Sequence, residues 1–229
     1  MLRVLYTDQD IIVAVKPAGV ESQAARKFAP DMISEIRKYL VINKMCTPGK
    51  EPYVGVIHRL DKPVSGVMVY GRTKKAAAVL SEQVQNRRME KIYDAVVCGK
   101  PVNNVDNYVD YLLKSVDGNY SQVVDKGITG AKRAELSFET VETKETEEGP
   151  FSLVRIRLKT GRHHQIRVQF AHHGLPLYGD TRYNPAPGAG PLALCAVSLS
   201  FSHPTTGKSM TFSMDPQGGV FEWFDAGKK

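Results

Sequence analysis

Residues 151–174 read FSLVRIRLKTGRHHQIRVQFAHHG, and the periodicity of this stretch changes partway through. Val154, Ile156 and Leu158 alternate with Arg155, Arg157 and Lys159, the two-residue period of a strand. One face of that strand is apolar. The other is cationic, and either solvated or set against phosphate. Thr160-Gly161 ends the strand, and 163–174 then takes helical spacing, with Ile166 and Phe170 one turn apart and Gly174 placed to close the helix.

Outward from this stretch the chain is mostly strands. AKRAELSFETV (131–141) puts Ala134, Leu136 and Phe138 on one face, and KIYDAVVCG (91–99) does the same with Tyr93, Ala95 and Val97. IIVAV (11–15), GVMVYG (66–71), LALCAVSLSF (192–201) and SMTFSM (209–214) are short apolar or β-branched runs. Helical spacing returns after Asp31, a capping residue, with Ile33, Ile36 and Leu40 on one face. It returns again from Thr73 to about Met89, with Ala76, Val79, Leu80, Gln83 and Val84 inward and Asn86-Arg87-Arg88 placing cations in the last turn. MCTPGKEPYVG (45–55) reads as a loop, and 102–130, with Gly118, Asn119 and Gly127, as an irregular insertion. About three helices among many strands predict an α+β class. The expected architecture is a mixed, mostly antiparallel long central sheet with flanking helices and loops, in a single domain over residues 1–229.

The chain has 229 residues, 42% hydrophobic and 24% charged, enough to bury a core. Lys and Arg number 31 against 24 Asp and Glu, and the net charge of +7 suits a polyanionic partner such as RNA or DNA without deciding for one. Cys46, Cys98 and Cys195 show no C-x-x-C spacing, which argues against a disulfide framework or cysteine zinc site and fits a reducing cytoplasm. MLRVLYTDQD lacks the apolar run of a signal peptide, and runs such as Ile11–Val15 are too short to span a bilayer. With no heptad repeat, a monomer is expected.

Metal-hydrolase chemistry would need the imidazoles of His58, the pair His163-His164 and the pair His172-His173 to converge. No H-E-x-x-H spacing is present, and His172 and His173 read as donors to the free carbonyls of a helix end. There is no G-x-S-x-G elbow, and GAG (188–190) sits in a Pro-rich loop. What remains is HRLDKPVSG (58–66), where Asp61 lies between Arg59 and Lys62 in a segment that Pro63 and Gly66 keep irregular. Asp61 is either a loop ion pair or a carboxylate kept ionised for chemistry. Tyr93 is either a core aromatic or a site aromatic, and Arg167 either a surface cation or a site cation.

Three stretches together, HRLDKPVSG, KIY (91–93) and TGRHHQIRVQFAHHGLPLYGD (160–180), resemble the RluA-type family of RNA pseudouridine synthases. The opening VLYTDQDIIVAVKPAGV and the late SHPTTG (202–207) extend the resemblance from about residue 4 to 214. Val64, His163, Leu175 and Tyr178 depart from the usual pattern without removing a group the chemistry needs. The S4 domain that many relatives carry before the catalytic domain is not seen ahead of IIVAV, so substrate choice is expected to fall to the catalytic domain.

The resemblance implies an isomerase acting on specific uridines of structured rRNA or tRNA, on the pseudouridine synthase catalytic fold, with no cofactor or metal. It implies Asp61 as the catalytic aspartate, Arg167 as its basic partner, and Tyr93 as the tyrosine that stacks on the target base. Arg59 is implied as the side chain that can fill the space left by a flipped base. His58, Arg162, His164 and Gln165 are implied as RNA- or base-contacting. A non-catalytic RNA-binding or folding factor on the same scaffold is the alternative.

Overall fold

The computed structural model describes residues 2–24, 30–117 and 119–225, so Gly118 lies outside the described residues. In chain order the elements begin with β1 (Arg3–Thr7), β2 (Ile11–Lys16), α1 (Met32–Ile42), β3 (Gly55–Val56), β4 (Ser65–Gly71) and α2 (Lys74–Gln85). There follow β5 (Glu90–Cys98), β6 (Val105–Lys114), β7 (Ser121–Val124), β8 (Lys132–Thr146) and β9 (Gly149–Leu158). The chain ends with α3 (Gln165–His172), β10 (Leu194–Ser202), β11 (Ser209–Ser213) and a 3-10 turn at Gly219–Trp223. Two compact units result, Met1–Lys91 with Ala196–Met214, and Ile92–Cys195 with Asp215–Lys229.

In the first unit β2 pairs with β1 on one side and β4 on the other, β3 adds to β4, and β10 and β11 form a hairpin, all antiparallel. Ile11, Val13, Val67 and Val69 pack with Ala76 and Leu80 of α2 and with Leu199 and Phe201 of β10. Complete burial of a side chain such as Leu80 contributes about 1.5–3 kcal/mol. Ile12 and Ala14, on the opposite face of β2, are fully buried too. IIVAV is therefore apolar throughout because both faces of its strand are covered.

Asp31 caps α1, its carboxylate accepting from the Ser34 and Ala24 amides. Met32, Ile36 and Leu40 form the buried stripe, while Ile33 is only half-buried. α2 is capped by Thr73 and ends at Gln85, earlier than its spacing predicts. Asn86 is the C-cap and Arg87 turns left-handed (φ 56°), so the cations fall beyond the last turn. The SHPTTG turn is clipped to the β1–β2 turn: His203 meets Asp8 at 2.8 Å, and its Nδ1 accepts from the Thr205 and Thr206 amides.

In the second unit the antiparallel order is β5-β9-β8-β6-β7. Ala134, Leu136 and Phe138 face inward as their alternation predicts, whereas β5 is buried on both faces, with Asp94 and Val96 as enclosed as Tyr93 and Ala95. The expectation of an irregular 102–130 is corrected: the segment forms the β6–β7 hairpin. Only Tyr108 and Leu112 are buried among the ten residues of β6, too few to write a visible alternation.

α3 is shorter than predicted. It starts at Gln165 because His164 stands in the left-handed region (φ 53°), and Gln165 to Phe170 are all buried. The His173 amide donates to the Gln169 carbonyl, but its side chain is engaged elsewhere. Its ring stacks on Tyr108 at 3.8 Å, and Nε2 lies 3.1 Å from an Asp110 carboxylate oxygen.

Candidate active site

The loop carrying Asp61 is built by residues far upstream. Ser22 Oγ donates to the Leu60 carbonyl (2.8 Å) and accepts from the Leu60 amide (3.0 Å). On the other side of Asp61, the Lys62 carbonyl accepts from the Gly19 amide (2.8 Å) and from Lys16 Nζ (3.1 Å). The Val64 amide donates to the Asp61 carbonyl (3.0 Å), closing a turn through Lys62-Pro63. Gly66 follows with φ 139°, and a Cβ there would lie 2.4 Å from the Ala196 carbonyl oxygen, so only glycine fits. Asp61 is half-buried between two residues whose backbones are fixed, and Arg59 is exposed.

Lys16 is completely buried and was not singled out by the sequence. Its ammonium also donates to the Pro17 (3.0 Å) and Val20 (2.6 Å) carbonyls. Burial pushes it down from 10.5 to about 8, and the Asp61 charge opposes the fall. A cation is thus placed behind the loop, within reach of the Asp61 charge. Between pH 8 and 10.5 the unfolded chain holds a proton on Lys16 that the folded chain has released, so stability rises with pH across that window. Lys16→Met should abolish that rise and, by stranding buried carbonyls, lower stability by roughly 1–3 kcal/mol or more in urea denaturation.

His58 is turned into the core. Its Nε2 accepts from the Val69 amide (3.3 Å), and Nδ1 has no hydrogen-bond partner among the described residues. Burial, reinforced by Lys91, pushes the imidazole down to about 3. The ring is therefore neutral and ties the start of the loop to β4. From pH 6.5 down to about 3 the unfolded chain takes up a proton on His58 that the folded chain refuses, and stability falls. His58→Gln should flatten that acid limb in a pH series of melts.

In the second unit, Tyr93 is buried on β5 opposite Ile156 of β9. Arg167, on α3, sends Nε (2.8 Å) and Nη2 (2.6 Å) to the two carboxylate oxygens of Asp180. Both side chains are nearly inaccessible to solvent. Asp180 Oδ1 also accepts from the Arg182 and Tyr183 amides, and the Arg167 guanidinium lies 5.1 Å from the centre of the Tyr183 ring. Sequence reasoning missed Asp180, although it closes the motif LYGD.

Gln165 is used up internally. Its Oε1 accepts from Thr160 Oγ1 (2.8 Å) and the Arg162 amide (3.0 Å), while Nε2 donates to the Glu135 carbonyl (3.1 Å). These bonds shape the turn into α3. Arg162 Nε donates to the Arg133 carbonyl (3.0 Å), and His164 Nδ1 lies 2.7 Å from the Tyr183 hydroxyl. Burial first, then Arg167, pushes His164 down to about 3. Arg162, His164, Gln165 and Arg167 are thus gathered at one helix start.

The cationic face of β9 is less available to phosphate than its pattern suggests. Arg155 is held bidentately by buried Asp94 (2.9 and 2.9 Å), and Lys159 pairs with Glu135 (2.9 Å). Among the described residues no three His, Cys, Asp or Glu side chains cluster as metal ligands.

Residues 10–172 match the RNA pseudouridylate synthase family. The chain is 30% identical to ribosomal large subunit pseudouridine synthase D of Zymomonas mobilis, covering 93% of this chain and 69% of that protein. It is 30% identical to tRNA pseudouridine synthase C of Haemophilus ducreyi, covering 93% and 90%. Human RNA pseudouridylate synthase domain containing 4 shares the fold with a TM-score of 0.73 at 20% identity, over 93% of this chain and 87% of that one. Human RNA pseudouridylate synthase domain containing 1 also superposes with a TM-score of 0.73, at 23% identity over 95% and 84%. Fold and relatives together define an RNA-modifying isomerase. The chain belongs to the RNA pseudouridylate synthase family, and its reaction is the isomerisation of uridine in RNA to pseudouridine.

Proposed function

We propose that this chain, acting in the cytoplasm as a monomer and as one catalytic domain over residues 1–229, modifies specific uridines of ribosomal or transfer RNA through Asp61. The observation that carries this reading is the mounting of Asp61: fixed backbone on both sides, with a buried ammonium behind it.

The reaction breaks the N1–C1′ bond, turns the uracil, forms C5–C1′, removes the C5 proton and returns a proton to N1. Atoms and electrons balance within the nucleotide, so no cofactor is required. Ionised Asp61 either attacks C1′ or removes a ribose proton. Either role needs an ionised carboxylate where water is scarce, and the buried Lys16 ammonium is a cation that the Asp61 charge acts on. Tyr93 offers a flat face to the uracil, where base–aromatic stacking is worth roughly 1–3 kcal/mol. Arg167, oriented by Asp180, supplies positive charge. A stacked or paired uridine must be extruded at a cost of a few kcal/mol, which exposed Arg59 offsets by occupying the gap.

The test is a pseudouridine map of total RNA from cells lacking the gene, complemented with wild type or Asp61→Ala. A site that vanishes on deletion and returns only with wild type identifies the RNA and supports the role of Asp61. A site restored equally by Asp61→Ala sinks the assignment of that residue. If no site changes in cells and purified protein also leaves transcripts unmodified, the non-catalytic RNA-binding reading takes its place.

A further inference from the structure

We propose that the β6–β7 hairpin and the start of α3 form a stacking platform for unpaired bases flanking the target uridine, with Tyr120 at its open end and Arg182 as its phosphate contact. This rests on the reading of the chain as an RNA-modifying enzyme, and adds which part of the RNA is gripped and by what.

Four flat rings follow one another here. His163 stacks on His164 at 3.7 Å between centres, His164 meets the edge of Tyr183 at 5.6 Å, and Tyr183 lies 4.8 Å from Tyr120. Hydrogen bonds fix the row. The Ser121 amide donates to the Tyr183 hydroxyl (3.0 Å), and Ser121 Oγ lies 2.9 Å from His163 Nδ1. The Tyr120 amide donates to Ser115 Oγ (3.0 Å), and its carbonyl accepts from the Ser115 amide (2.9 Å). A tyrosine so anchored yet 43% exposed presents ring surface to solvent at little cost in ordering when a base arrives.

Position and charge favour RNA as the occupant. The Arg167 guanidinium against the Tyr183 ring connects the row to a residue proposed to act in catalysis, so bases seated on it are close neighbours of the target. Exposed Arg182 lies near enough to act on both His164 and Tyr183. Asp117 in the hairpin turn also feels Arg182, an interaction that a phosphate would displace. A duplex hides its base faces in its own stack, whereas loops and single strands offer them. The class of partner is therefore unpaired RNA.

The experiment measures binding of a fluorescein-labelled oligouridylate and of a labelled RNA duplex to wild type, Tyr120→Ala, Tyr120→Phe and Arg182→Gln over a salt series. Melts of each variant confirm folding. Tyr120→Ala should weaken oligouridylate binding roughly 5- to 150-fold, the equivalent of ~1–3 kcal/mol. Its salt slope and duplex affinity should stay at wild-type values, and Tyr120→Phe should bind as wild type. Arg182→Gln should reduce the oligouridylate salt slope by about 0.7. Equal oligouridylate affinity for wild type and Tyr120→Ala overturns the platform, as does a Tyr120→Ala loss that is the same for duplex. Pseudouridine formation by the wild-type protein is scored separately. Its absence is a failure of the enzymatic reading, and its presence beside an unaffected Tyr120→Ala is a failure of the platform alone.

Discussion

Asp61→Asn protein should form no detectable pseudouridine on an RNA that the wild type modifies, and it should still fold. Carboxamide and carboxylate have nearly the same shape, so the hydrogen bonds that hold Leu60 and Lys62 remain. What disappears is the charge and with it any nucleophile or base. A single acid–base role contributes roughly 10²–10⁴-fold, and loss of an essential nucleophile costs at least as much. Stability should drop only modestly, on the order of 1 kcal/mol, because the Lys16 ammonium loses the negative charge that opposes its desolvation. Single-turnover assays with purified protein, run beside urea titrations, separate the two effects. A variant keeping more than about a tenth of the wild-type rate would remove Asp61 from the chemistry.

The second large effect is on stability. Asp180→Ala leaves the Arg167 guanidinium enclosed without its carboxylate, and breaking such a pair costs about 3–5 kcal/mol. The same change strands the Arg182 and Tyr183 amides, so the turn after the pair should loosen as well. The double variant Arg167→Met with Asp180→Leu should recover much of that loss, since a well-packed apolar pair can replace a buried ionic one. It should nevertheless stay inactive if Arg167 acts in catalysis. Urea midpoints at constant slope read the first outcome and pseudouridine assays the second. An Asp180→Ala protein within about 1 kcal/mol of wild type would show that the pair does not hold α3 in place.

The elements that could be read from the sequence are those whose burial is regular. β8 and β9 alternate because one face of each is covered, and β2 is apolar throughout because both faces are. β6 was invisible because a strand with two buried residues in ten carries almost no period. α2 ends earlier than its spacing predicts because Arg87, with no sequence mark of a left-handed residue, does the work glycine does elsewhere. For the candidate site, local physics left Asp61, Tyr93 and Arg167 undecided, and it was the motifs that singled them out. Lys16 and Asp180 escaped notice for the same reason. A lysine at the end of a strand reads as exposed, and an aspartate after Gly179 reads as a turn residue, until three carbonyls and a guanidinium are seen around them.

Ser22 fastens Leu60 across 38 positions of sequence, and Lys16 reaches Lys62 across 46. During synthesis, therefore, the groups that hold the aspartate leave the ribosome well before it does, and its posture is set only when β4 has followed, met the amino-terminal strand and enclosed the ammonium. A peptide cut from residues 58–66 would carry every group of the motif and none of its geometry. Inactive alleles mapping to residues 16–22 are accordingly expected alongside those at Asp61, and they should produce chains that fold elsewhere while their loop does not set.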